Sequence, residues 1–311
     1  MPARCMKDLP SRSLAEHWAS IKWPMLAFQA GCHLFALIGL FFVASCQWRT
    51  WLFTSVLAEL SILGVTSGVH RLWTHKSYKA HWSVRFFLML CFSVSNQGAI
   101  VEWVRDHRIH HKYSETDADP HNARRGLFFS HIGWLLTKEH PKFIEACKTT
   151  SCDDLLDDWV VQLQLAGSPY SDLVCSFIFP TVVASYGWGE DPLRALLVAG
   201  FLRYVFILHC TCLVNSVAHF YGTTPYDPNI HPTENRWVAL LTVGEGWHNW
   251  HHTFPYDYAC AELGAKGQYN PSKMFIDSCA ALGLVSGRKR ALHAWQTKQH
   301  KLAAQDHAKE F

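Results

Sequence analysis

Between Trp23 and Cys46 the chain is almost entirely apolar, broken mildly by Gln29 and His33. That run exceeds the roughly 20 residues a helix needs to cross a bilayer. A second run, Trp51 to Val69, follows after the short turn Gln47-Trp48-Arg49-Thr50, with Trp48 and Trp51 placed where interfacial aromatics belong. Two more, about Ser171 to Gly187 and Leu193 to Val214, are joined by Gly189-Glu190-Asp191-Pro192. Such runs restrict the fold to helices whose backbone groups are satisfied within each segment. Pro180 is tolerated there if neighbouring helices satisfy the freed carbonyl, and Glu59 is costly unless it faces protein or a cavity.

The stretch Val84 to Val104 is ambiguous, because it begins with Arg85 and contains Asn96, Gln97 and Gly98. As a span it would put the histidines before it and those after it on opposite membrane faces. The expectation is that it lies along the interface or under a cap. Four spans then put both termini on one side. The polar segment 70–170 carries twelve Lys or Arg, whereas the two short turns carry one, Arg49. The positive-inside rule makes that segment and both tails cytosolic. The expected fold is all-α: a polytopic membrane protein with spans at about 23–46, 51–69, 171–187 and 193–214. Residues 70–170 and 215–290 would form a helical cytosolic cap, within a domain of 23–290 flanked by tails 1–22 and 291–311.

Charged residues make up 17% and aromatics 14%, and the net charge of +3 gives no sign of nucleic-acid binding. The 11 cysteines lack paired spacing and read as reduced, mostly buried side chains. Residues 1–22 are polar, without the apolar core of a signal peptide.

Three dense boxes hold eight histidines: His70 and His75; His107, His110 and His111; His248, His251 and His252. His219 adds a ninth. Neutral imidazole is a common iron and zinc ligand, and the set lacks the thiolates of structural zinc. Residues four apart share a helix face, so His107 with His111, and His248 with His252, can each address one metal. His110 and His251 are offset towards another, and His70 and His75 can supply two more ligands. Asn215, one turn before His219, is placed to hold a metal-bound water. Asp106, Asp117 and Asp119 are candidates to receive the second ring N–H of a ligand, and His121 is placed among them. His17, His33, His81, His131, His140, His209 and His231 read as ordinary polar or surface residues. A cluster of this kind beside a membrane points to oxygen activation on a lipid.

His70-Arg-Leu-Trp-Thr-His75 and Glu102-Trp-Val-Arg-Asp-His-Arg-Ile-His-His111 resemble the first two boxes of the animal acyl-CoA desaturases of the stearoyl-CoA type. Asn215-Ser-Val-Ala-His219, Gly244-Glu-Gly-Trp-His-Asn-Trp-His-His252, Ser114-Glu-Thr-Asp-Ala-Asp-Pro-His-Asn122 and Thr253-Phe-Pro-Tyr-Asp-Tyr258 are also similar to that family. The resemblance covers about 23–290. It implies a di-iron centre, with His70, His75, His107, His111 and His251 at one iron. His110, His219, His248 and His252 would hold the other, with Asn215 acting through water. It also implies that O2 and two electrons insert a cis double bond, most often at delta-9, into a fatty acyl-CoA. The electrons would come from NADH through cytochrome b5 and its reductase, at the endoplasmic reticulum membrane. No His-Pro-Gly-Gly haem motif occurs, so cytochrome b5 is expected to be a separate chain. Arg288, Lys289 and Arg290 offer its acidic surface a basic face.

Arg105, Asp106 and Lys138 match positions that contact the CoA head group in that family. The chain departs from the vertebrate pattern at Met25, Gly98, Glu139 and Cys212, which leaves head-group affinity, chain length and bond position open. Ala58 and Ile62 are expected to close the far end of the acyl tunnel. The rival readings are a desaturase of other regiospecificity, such as delta-11, a di-iron lipid hydroxylase, and a polytopic haem protein with axial His pairs.

Overall fold

The computed structural model describes residues 18–263 and 267–309. Of the expected tails, 1–17 with His17 and 310–311 lie outside the described residues. Among the described residues three helices are long and apolar enough to cross a membrane: α1 (Trp23–Ser45), α2 (Trp48–Thr74) and α8 (Pro192–Phe220). Between them come α3 (Trp82–Ser95), α4 (Ile100–Tyr113), α5 (Pro141–Thr149), α6 (Trp159–Gly167) and α7, over 170–188. The helices α9 (His248–Thr253), α10 (Pro271–Ala281) and α11 (Leu292–Lys309) follow. Strands β1 (Lys79–Ala80) and β2 (Val285–Ser286) pair antiparallel and tie the end of α2 to the C-terminal part of the cap.

The third expected span falls in α7, which is not among the three. Its first turn carries Ser171 and the fully buried Asp172, and these polar groups dilute its apolar length. The outer face of α7 is nonetheless a stripe at four-residue spacing: Val174, Ile178, Val182 and Tyr186 are all exposed. That pattern suits lipid contact.

The ambiguous stretch becomes two helices. α3 and α4 meet at 85°, because Asn96 and Gly98 adopt φ of 51° and 87°. A Cβ is poorly tolerated there, which accounts for glycine at 98. The bend returns α4 beneath the bundle and keeps the first two histidine boxes together.

The C-terminal end of α2 is wound more widely than an α-helix. Gly64–Thr74 is π-helical, a form rare except at functional sites. A Cβ on Gly64 would collide with the Cys91–Phe92 backbone of α3. Deeper in the bundle the fully buried guanidinium of Arg203 on α8 donates to Ser61 Oγ on α2, the Val94 carbonyl on α3, and Ser176 on α7. With every donor direction used, an otherwise costly buried charge pins four helices.

Candidate metal centre

His70 projects from the π-helical end of α2, and His75 is the residue that closes it. Five residues apart, they would diverge on an α-helix. The i→i+5 turn brings their rings to 4.9 Å, and the His75 N–H donates to the His70 carbonyl at 3.2 Å. On α4, His107 and His111 share a face, with Nε2 atoms 3.1 Å apart. On α9, His248 and His252 do the same at 3.1 Å. Trp250, fully buried between Tyr226, Phe254 and Trp295, points the other way and anchors that short helix.

These elements bring the nine imidazoles into two groups. His70, His75, His107, His111 and His251 form one; His110, His219, His248 and His252 form the other. Within each group one nitrogen from every ring lies within 4.8 Å of those of the others. His251 Nε2 stands 2.9 Å from both His70 Nε2 and His111 Nε2. In the second group, His110 to His252 is 3.3 Å and His219 to His248 is 3.1 Å. The stacked rings of His111 and His252, 4.3 Å apart, join the groups.

Three carboxylates set the ring orientation. His70 Nδ1 lies 2.9 Å from Glu245, His110 Nδ1 3.0 Å from Asp119, and His219 Nδ1 3.3 Å from Glu115. A carboxylate only accepts, so each of these Nδ1 atoms carries the hydrogen and each Nε2 keeps its lone pair. Those lone pairs point into the clusters at other imidazole nitrogens. Two nitrogens bound at roughly 2.1 Å to one ion, ~90–110° apart, would be separated by ~3.0–3.4 Å. The donor set and its spacing therefore fit one metal ion per group, whereas opposed Nε2 atoms this close leave no room for a haem macrocycle.

Burial first, and then repulsion by the neighbouring imidazoles, holds His75, His107, His110, His111, His248, His251 and His252 well below the usual histidine range. These rings are accordingly neutral, the ligating form. Burial opposes the charge of Glu245, but Arg71 and His70 outweigh it and hold its carboxyl at about 2. Arg71, fully buried, grips that carboxylate at 2.6 and 2.9 Å and spends its remaining donors on the Tyr258 and Ala259 carbonyls and Asn270.

Of the three aspartates expected to orient rings, only Asp119 does so. Asp117 pairs with Lys142 at 2.8 Å, both exposed, and Asp106 pairs with its neighbour Arg105 at 2.7 Å. Glu115 and Glu245, the other two orienting groups, had no helical spacing to mark them. His121 is buried with its ring 4.3 Å from that of His110, and its backbone N–H donates to Asp119.

A cavity of about 650 Å³ opens between α1, α4 and α8 and reaches the clusters. Arg105, Asp106 and Lys138 line it, as do the four departures Met25, Gly98, Glu139 and Cys212. Burial pushes the Asp106 carboxyl up to about 6 in spite of Arg105 beside it. At the mouth, Lys22 pairs with Glu139 at 2.5 Å. Asn215, His107 and Trp103 line both this cavity and a second, small one of about 40 Å³, which ends on Ile62. Ala58 lines neither and packs behind Ile62 with Ile207, Cys210 and Val243.

A profile of the family described as fatty acid desaturase matches residues 46–265. Stearoyl-CoA desaturase 5 of Bos taurus is 47% identical over 275 residues, which cover 88% of this chain and 82% of that protein. Stearoyl-CoA desaturase of Homo sapiens is 46% identical over 88% of this chain and 75% of its own length. Delta(9)-fatty-acid desaturase fat-6 of Caenorhabditis elegans is 45% identical over 87% of this chain and 80% of its own.

Proposed function

The chain belongs to the fatty acid desaturase family, and from that premise we propose that it is an oxidoreductase inserting a cis double bond, at delta-9, into a saturated fatty acyl-CoA. The observation that carries the reading is the convergence of nine imidazoles, five and four, at the inner end of a long, largely apolar cavity. His70, His75, His107, His111 and His251 would hold one iron. His110, His219, His248 and His252 would hold the second, with Asn215 through water. Two such irons, given O2 and two electrons, supply an oxidant strong enough for an unactivated methylene C–H bond.

The protein's own part is orientation and exclusion of water. Glu245, Asp119 and Glu115 fix three rings in the tautomer that presents Nε2. Trp103 donates from its indole to Gln97, and Gln97 donates to Thr211 on α8, so the waist of the channel has a fixed shape. The acyl chain would lie along the 650 Å³ cavity with its head group at Lys22, Arg105, Asp106 and Lys138, and its methyl end against Ile62. A channel dry at that depth protects a reactive oxidant from side reactions. Electrons would come from NADH by way of a separate cytochrome b5 and its reductase. Of the basic triplet, Arg290 is committed to Asp257 and Arg288 to Asp277, and Lys289 is exposed. α1, α2, α7 and α8 would span the endoplasmic reticulum membrane, with the cap 70–170 and 215–290 and both tails in the cytosol.

Complementation of a desaturase-deficient yeast, with the position of the new double bond determined by mass spectrometry, tests this. A delta-9 monoene is expected. A delta-11 product would revise the regiochemistry, and a hydroxy acid would replace desaturation with hydroxylation.

A further inference from the structure

Three histidines read from sequence as ordinary polar residues form a continuous chain outside the metal centre. His33 lies on α1, His209 on α8, and His131 on the short helical segment over 129–136. His33 Nδ1 is 2.6 Å from the Gln29 carbonyl, and His33 Nε2 is 3.0 Å from His209 Nε2. His209 Nδ1 is 2.9 Å from His131 Nε2. His131 Nδ1 is 2.8 Å from Ser216 Oγ, which donates to the Cys212 carbonyl at 2.7 Å.

The hydrogens decide what this chain is. Both ends terminate on backbone carbonyls, which only accept, so the five contacts need five hydrogens. Three neutral imidazoles and one hydroxyl supply four. With His33 donating to Gln29 and Ser216 to Cys212, His131 must donate to Ser216. Its Nε2 and the Nε2 of His33 then both face His209 as acceptors. A neutral His209 satisfies one of them and opposes a lone pair to the other. A doubly protonated His209 satisfies both.

We propose that His33, His209 and His131 bind one excess proton as a unit, with His209 the doubly protonated ring, and that through Ser216 this unit positions the break in α8 that carries Asn215 and His219. Ser216 is fully buried at that break, with φ −110° and ψ −79°, and its carbonyl accepts from the His219 N–H at 2.9 Å. Loss of the proton forfeits one link between α1, α8 and the 129–136 segment and frees the Ser216 side chain to turn. The titratable or charged neighbours on these elements are Cys32 on α1, Arg203, Tyr204, Cys210 and Cys212 on α8, and Arg125 ahead of the 129–136 segment. Burial works against the charge, and at His131 it pushes ionisation down; the completed hydrogen bonds work for it. With the hydrogen bonds prevailing, the folded protein keeps the proton to higher pH than the unfolded chain does, and that stabilisation is lost as pH rises through the folded value.

His209→Gln keeps a donor and an acceptor at that place but takes no extra proton. Thermal unfolding of the metal-loaded protein is measured from pH 6 to pH 8 for both forms. The Tm advantage of wild type over the variant is expected to shrink by roughly 2–4 °C per pH unit as pH rises towards the point where the folded protein gives the proton up, and to hold constant beyond it. Parallel curves overturn the proton count. The consequence for the metal site rests on the proposed function and is read in the visible spectrum of the cobalt-loaded protein. That spectrum should change with pH in wild type and stay fixed in His209→Gln, and a spectrum fixed in both overturns the positioning role. If His209→Gln does not fold, His33→Gln removes the same link and serves both measurements. Wild type without desaturase activity would refute the proposed function and leave the Tm comparison intact.

Discussion

Replacing Glu245 with glutamine removes one charge at the buried carboxylate that pairs with both Arg71 and His70, and changes little in volume. The carboxyl ionises at about 2 against an ordinary value of 4.5, with Arg71 and His70 as the favourable partners. Because the folded value is depressed, the stabilisation is fully present above pH 4.5 and is lost as pH falls towards 2. A difference of about 2.5 units at 1.36 kcal/mol each gives about 3 kcal/mol at pH 7. A second route agrees. Breaking a buried ion pair typically costs ~3–5 kcal/mol, because the surviving charge is stranded. Arg71 keeps three carbonyl acceptors in the variant, which places the loss at the lower end. The amide cannot accept from Arg71 and from the His70 ring together, so it must also present N–H to one donor. His70 loses its fixed tautomer, and loss of such a partner usually lowers metal affinity ~10–100-fold. Denaturant unfolding at pH 7 should show a loss of about 3 kcal/mol, and iron per chain should fall on dialysis against a weak chelator. A loss below ~1 kcal/mol with undiminished iron would refute the role given to the Arg71–Glu245–His70 line.

Ile62→Ala should lengthen the preferred acyl chain, since Ile62 closes the small cavity beyond the clusters; unchanged product lengths in a microsomal assay would remove it as the end stop. Gly64→Ala should destabilise by more than ~1–3 kcal/mol, because the new Cβ meets α3 backbone and not a movable side chain; a variant with wild-type Tm would contradict that contact. Burial pushes the Glu234 carboxyl up to about 7 despite N–H groups donated from α9. Its folded value is raised, so its ionisation costs stability increasingly from pH 4.5 to about 7. Glu234→Gln should therefore raise Tm at pH 8 and leave it unchanged at pH 4, and equal effects at both would exclude the titration as the cause.

What could be read from sequence follows periodicity. The pairs His107/His111 and His248/His252 sit four apart on ordinary helices, so their shared faces were visible in the spacing alone. His70 and His75 were visible as a box, but their geometry was not, since five residues meet only on the π-helical end of α2. The bend between α3 and α4 had a local signal in Asn96-Gln97-Gly98, although its 85° angle belongs to the packing. Glu115 and Glu245 carried no periodic signal. Each reaches its histidine across more than a hundred residues, or 175 in the case of His70 to Glu245, and the aspartates around the second box, Asp106, Asp117 and Asp119, attracted the expectation instead. Asp117, in the loop beyond α4, and Asp106 found basic partners first. The chain of His33, His131 and His209 joins three segments whose apolar surroundings make each histidine look solitary.

Two buried arginines explain how so unfavourable a cluster is held open. Nine imidazoles crowded into two groups, with the Nε2 lone pairs of His70, His110 and His219 turned inward, repel one another, and a bare hydrophobic collapse would rotate them apart. Arg203 fixes the spacing of α2, α3, α7 and α8 within the bundle, and Arg71 fixes the end of α2 against the cap loops that carry Glu245, Tyr258 and Asn270. The two therefore act in series along α2, one at Ser61 and the other ten residues further on. Between them lie the π-helical turns that aim His70 and His75. The centre is thus set by charge neutralisation in two places away from the metal ligands themselves. Metal binding would then relieve a repulsion already built into the folded protein, and part of the binding free energy would appear as folding stability.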